Sequence, residues 1–164
     1  MSNKEKNTYA FEDKKFLVGL FNKLLKNPTQ VKVQKSMYLA YAYYSAMVKS
    51  NNYPKELFNA NFIAEDYGVI DIDIFNYYKE DIDFSISDKE IDNFFCELGE
   101  NIQTNIYHFI MDVVNATNSI DDFSLIIRTK QDMCYKIAYN REDKRIFNKD
   151  IKKEYCKDYP NLCF

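Results

Sequence analysis

Apolar positions along this chain recur mostly at three- and four-residue spacing, which predicts a predominantly helical fold. From Phe11 onward, Phe16, Leu17, Leu20, Phe21, Leu24 and Leu25 fall on one helical face. Asn27-Pro28 closes that helix, because proline keeps the residue before it out of the helical region. Thr29 is then an N-cap for a second helix, since its hydroxyl can accept an orphan backbone N–H. Residues Val31–Val48 are apolar on nearly every side, broken mainly by Lys32, Gln34, Lys35, Ser36 and Ser45. Such a segment belongs in the middle of a domain. Asn51-Asn52-Tyr53-Pro54 reads as a loop. Ser87-Asp88-Lys89-Glu90 is a capping box ahead of Ile91, Phe94, Phe95 and Leu98, with Gly99 as a stop or kink. The cleanest stripe follows: Ile102, Ile106, Phe109, Ile110, Val113 and Val114. Ser119 opens a further helical turn with Phe123, Ile126 and Ile127, and a last helix after Asn148 carries Ile151 and Tyr155.

Two stretches mix periods. Ile70, Ile72 and Ile74 alternate with Asp71 and Asp73 as a strand would, yet Ile70, Ile74, Tyr77 and Tyr78 also share a helical face. Periodicity alone does not choose between them. Ile82, Phe84 and Ile86 alternate with Asp83 and Ser85, a short strand signal. The expectation is a mainly α protein with a minor short β-hairpin: six or seven helices in one globular domain over 9–164, behind a flexible polar tail at 1–8.

Composition narrows the function classes. At 164 residues, one core suffices without disulfide staples. Gly19, Gly68 and Gly99 stand too far apart to form a phosphate-cradling loop. No apolar run is long enough for a membrane span, and the opening MSNKEKNTYAFEDKK lacks the apolar core of a signal peptide. A cytoplasmic protein with reduced thiols is expected, because Cys96, Cys134, Cys156 and Cys163 form no C-x-x-C pair. Lys outnumbers Arg 19 to 3, a codon bias of AT-rich bacterial or phage genomes rather than a functional signal.

The net charge of −3 hides an asymmetry. Ten acids against Lys79 and Lys89 give Glu65–Asp92 a balance of −8, while residues 128–158 carry ten basic groups and six acids. The acidic belt is either a solvated surface or a docking surface for a basic partner. No basic stripe dominates, so direct nucleic-acid binding is not expected. The single histidine, His108, lies off the apolar stripe of its helix and speaks against a triad or a zinc centre. Asp71, Asp73 and Glu80 lack the loop glycine and closing Glu of a calcium loop. No catalytic residue, metal or cofactor is expected. Tyr38, Tyr41, Tyr43, Tyr44, Tyr53, Tyr67, Tyr77 and Tyr78 crowd the first half, as core packing or as a contact face.

Three stretches resemble the Panacea domain, or SocA-like antitoxin family. The family form L-Q-K-L-L-Y-x-A matches Val33 to Ala40 here, keeping Gln34, Lys35, Tyr38 and Ala40. The form E-A-W-x-Y-G-P-V matches Ile63 to Ile70, keeping Ala64, Tyr67 and Gly68 without the Trp and Pro. The form T-H-x-E-x-P-W-x-x-A matches Thr129 to Ala138, with Lys130 for the His, Asp132 for the Glu and Tyr135 for the Trp. The three lie in the family's order and frame residues 30–157.

The resemblance implies an antitoxin-type, non-enzymatic inhibitor that neutralises a protein target by direct contact. Gln34, Lys35, Tyr38, Ala40, Thr129, Asp132, Tyr135 and Ala138 would be its structural motif residues. Thr129 and Asp132 are expected at a helix start. The composition puts the contact face at Glu65, Asp66, Tyr67, Gly68, Asp71 and Asp73, with Tyr67-Gly68 at a turn. The target is then a cognate toxin. The alternative is a phage or mobile-element counter-defence protein, anti-CRISPR-like, whose acidic face blocks the nucleic-acid site of a host nuclease.

Overall fold

A computed structural model describes residues 8–164, so most of the expected tail lies outside the described residues. Two helices open the domain. α1 spans Lys14–Leu24 and starts where Asp13 accepts the Lys15 N–H; α2 spans Gln30–Met47 and starts where the Thr29 side chain accepts the Lys32 N–H. Fourteen of the 18 residues of α2 are buried, because every face meets another element. Tyr38, Tyr41 and Tyr44 are all fully buried on it, and each hydroxyl finds an acceptor: Asp132 Oδ2 at 2.6 Å, the Glu56 carboxylate and Pro54 O at 2.8 Å. Burying three phenol rings is favourable only because those hydroxyls are satisfied.

Four short strands flank α2. β1 (Tyr9–Phe11) pairs in parallel with β2 (Glu56–Phe58), with Phe11 opposite Phe58. The expected helix therefore begins three residues after Phe11, which is a strand residue. β3 (Phe62–Glu65) and β4 (Gly68–Asp71) form an antiparallel hairpin across the two-residue turn Asp66-Tyr67, with Gly68 at φ +85°.

The ambiguous isoleucine stretch is strand and then helix. β4 ends at Asp71, whose carboxylate accepts the Asp73 and Ile74 N–H groups and so starts α3 (Ile72–Lys79). The expected strand at Ile82–Ile86 does not form. The segment keeps its alternation, with Ile82, Phe84 and Ile86 turned inward, but it pairs with no strand. It crosses α1 at Gly19, where an added Cβ would stand 2.5 Å from Phe84 O. Side-chain contact with a helix, not a ladder, sets its period.

α4 (Asp88–Glu97) starts at the Ser87–Glu90 capping box, and Gly99 at φ +85° separates it from α5 (Glu100–Asn118). Ser119 ends α5 rather than opening the next helix. α6 (Asp122–Lys130) is capped by Asp121 and buries Leu125 and Thr129, leaving Phe123 and Ile127 outside. Thr129 thus stands in the last turn of α6. Asp132 is the N-cap residue of α7 (Met133–Tyr139), but its carboxylate serves other donors, and Glu154 takes the Met133 and Cys134 N–H groups instead. α8 (Asn148–Asp158) returns along α2 and buries Ile151 and Tyr155. Eight helices among the described residues exceed the expected six or seven, since α3 shares the hairpin's isoleucines and α6 and α7 break at Gln131-Asp132. The whole is mainly α with minor β and forms one globular domain. No described helix is long and apolar enough to cross a membrane.

Candidate functional site

The three stretches of the resemblance meet along the outer edge of β4. Gln34 Nε2 donates to Asp71 O at 3.1 Å, and the Asp71 N–H donates to Gln34 Oε1 at 2.9 Å. Lys35 Nζ donates to Val69 O at 2.8 Å, and the Val69 N–H donates to Thr129 Oγ1 at 3.3 Å. Both outward-facing residues of β4 are thus satisfied by side chains in place of a neighbouring strand. An open edge is a template for pairing with other chains, and here three side chains close it. The same packing requires Gly68: a Cβ there would stand 2.4 Å from Thr129 Oγ1 and 3.4 Å from Lys35 Cε. Lys35 is 1% exposed with no carboxylate paired to it among the described residues, and burial lowers its pKa to about 8.

Beneath this edge lies a buried carboxylate. Asp132 accepts from Tyr38 at 2.6 Å, from Tyr155 at 2.7 Å and from Arg128 Nη1 at 2.6 Å. Burial and the neighbouring Tyr155, Cys134 and Asp132 push the Tyr38 phenol well above its ordinary pKa. Burial likewise pushes the Cys134 thiol up, so it is not a poised nucleophile. Ala40 and Ala138 are buried packing residues. The Arg128–Asp132 spacing of four residues was a visible signal for this pair; Tyr155, 23 residues further on, had none.

The expected contact residues separate into two groups. Asp71 is fully buried: Lys14 Nζ lies 3.1 Å from both of its carboxylate oxygens and 2.6 Å from Asp73 Oδ2. The expectation that Asp71 lies on a docking face is therefore corrected. A carboxylate that caps α3 and also takes the Asn61 N–H at 2.9 Å belongs inside, with Lys14 brought in to balance it. Gly68 is buried too. Sequence reading missed Lys14, since nothing in its spacing to Asp71 marks the pair.

Asp66 and Tyr67 are exposed, Tyr67 by 74%. The turn that carries them is fastened from below. Tyr135 donates to Glu65 O at 2.8 Å, Lys130 Nζ to Asp66 O at 3.0 Å and Tyr139 to Asp66 Oδ1 at 2.6 Å. α6 and α7, which supply those donors, expose Phe123 (71%), Met133 (56%) and Ile137 (50%). Tyr67 and Asp66 also line a groove of about 660 Å³ whose apolar wall is Val31, Ile63, Ile70, Ile72 and Phe75. The exposed acids run on after α3 and along α4: Glu80, Asp81 and Asp83 in the connecting segment, then Asp88, Glu90 and Asp92.

His108 is exposed on α5 and, with Cys96 and Asp92, lines a cleft of about 650 Å³ between α1, α4 and α5. No hydrogen bond joins His108 to Cys96 or Asp92. No group of three metal-ligating side chains is present among the described residues. Comparison with protein-family models, curated proteins and solved structures finds no match for this chain.

Proposed function

We propose that this chain is a stoichiometric, non-enzymatic inhibitor of the Panacea antitoxin type, which neutralises a protein target by direct contact in the cytoplasm. The observation that carries the reading is the fastened turn. Large apolar side chains with fixed backbones bind with little ordering cost, and Tyr67 stands out from a turn held by three side-chain donors. Phe123, Met133 and Ile137, exposed on the two helices that fasten the turn, supply further apolar area, and the exposed Asp66 supplies negative charge for a basic target. Gln34, Lys35 and Thr129 then serve the contact indirectly by fixing the hairpin to α2 and α6, and Tyr38 with Asp132 by tying α2 to the junction of α6 and α7. The test co-expresses the chain with the product of its neighbouring gene and titrates that product's activity. Inhibition complete at one equivalent, and weakened at least tenfold by Tyr67→Ala with Phe123→Ala, supports the reading. Inhibition at far below one equivalent would indicate turnover and sink it.

A second reading rests on the exposed acids from Glu80 to Asp92. They would cover the nucleic-acid site of a host nuclease. Reversing Asp81, Asp83 and Asp88 to Lys would then slow association and remove its salt dependence, whereas Tyr67→Ala would have little effect.

A further inference from the structure

Two of the chain's three arginines, Arg141 and Arg145, lie between α7 and α8. Their guanidinium carbons stand 5.1 and 5.5 Å from the centroid of the Phe147 ring, and Lys149 Nζ stands 5.7 Å from the same centroid. The ring face attracts each cation. No two of these cations can be farther apart than about 11 Å around the ring, so at low salt they repel one another and share one region of positive potential.

Apart from the ring, no ion pair among the described residues offsets that repulsion. Among the described residues no carboxylate pairs with Arg141, Arg145 or Lys149. Asp143 uses Oδ1 on the Arg145 backbone N–H, and Glu154 caps α7. The one side-chain bond from either guanidinium is long, from Arg141 Nη1 to Arg145 O at 3.4 Å. The remaining arginine, Arg128, is by contrast paired to Asp132 at 2.6 Å. Beside the cluster opens a cavity of about 320 Å³, lined by Asn61, Phe62, Arg145, Phe147, Asn148 and Lys149.

We propose that this corner is a binding site for a small phosphate-bearing molecule, whose phosphate oxygens take the donors of Arg145 and Lys149, which line the cavity, while Arg141 adds its charge from the same ring. One carboxylate would cancel one charge of three. A phosphate group carries nearly two charges and three acceptor oxygens, and the planar arginine forks match its geometry. The cavity admits a small ligand, and the net charge of −3 opposes any extended polyanion, so the attraction is local to this corner. The site shares no residue with the turn at Tyr67, although Arg145 bridges to Ile63 of β3, and it does not depend on the inhibitor reading.

Calorimetric titration of the full chain with sodium pyrophosphate tests it. The expected result is saturable one-to-one binding that weakens severalfold as salt rises. The combined variant Arg141→Gln, Arg145→Gln and Lys149→Gln should lose at least tenfold in affinity. Its unfolding temperature without ligand should be unchanged or raised, because the repulsion is gone, and pyrophosphate should no longer raise it. Absence of saturable binding would overturn the proposal, and so would equal binding by the variant. Citrate binding as tightly as pyrophosphate would overturn the assignment to phosphate. None of these residues enters the inhibition assay, so failure here and failure of the inhibitor reading are separable.

Discussion

The Tyr38 hydroxyl donates to Asp132 Oδ2 at 2.6 Å across 94 residues of chain, and this one contact ties the centre of α2 to the junction of α6 and α7. Arg128 balances the charge of that carboxylate, and Tyr155 takes a further lone pair. A buried carboxylate is tolerable only when paired and hydrogen-bonded in this way.

Removing the acceptor should therefore cost more than removing one donor. Asp132→Ala strands Arg128 and two phenols and should cost about 3–5 kcal/mol, whereas Tyr38→Phe should cost about 1–2 kcal/mol. Urea denaturation at pH 7 measures both. A Tyr38→Phe protein as stable as the parent would remove Asp132 from its place as an anchor of the fold.

Lys35 gives the stability a pH slope. Burial lowers its pKa to about 8 in the folded chain, against an ordinary value of 10.5. Between those pH values the unfolded chain binds more protons, so stability rises with pH through the window and is flat below it. The gain by pH 10 should be on the order of 2 kcal/mol. The buried tyrosines act oppositely above about pH 10, where the unfolded chain ionises first. Lys35→Met should flatten the rise between pH 8 and 10. The same slope in both proteins would place its source elsewhere.

Gly68 and Gly99 share φ +85°, but their surroundings differ. A Cβ on Gly99 meets nothing within 4 Å, while one on Gly68 meets Thr129 Oγ1 at 2.4 Å. Gly99→Ala should cost about 1 kcal/mol from backbone strain alone. Gly68→Ala should cost at least about 2 kcal/mol more, because Thr129 sits in a closed lattice of bonds. Equal midpoints in parallel denaturation would mean that the hairpin can shift away from α6.

Two acids five residues apart should behave in opposite ways. Asp71→Asn leaves Lys14 short of a buried counter-charge and should cost about 3 kcal/mol or more. Asp66→Asn, at the exposed turn, should stay within about 0.5 kcal/mol and act on target association only. Thermal unfolding of the two single variants separates them, and a destabilised Asp66→Asn protein would contradict the division of the acidic belt into a buried and an exposed part.

Much of the helical frame could be read directly. The Thr29 and Ser87 caps, the all-round apolar α2 and the stripe of α5 follow from local rules that act within one or two turns of chain. Local rules also carried the period of Ile82–Ile86, but not its partner. A strand is defined by the chain beside it, and α1 came there instead. Charge was the least legible quantity. Asp66 and Asp71 look alike in the acidic belt, and only the arrival of Lys14 from 57 residues away places one inside and leaves the other at the surface. The same holds for the three basic groups around Phe147 and for the three side chains that close β4. Sequence by itself settled which segments coil and which residue types are present. Which charges meet, and which are left without a partner, was decided by packing, because Coulomb and hydrogen-bond energies depend on distance in space and not on distance along the chain.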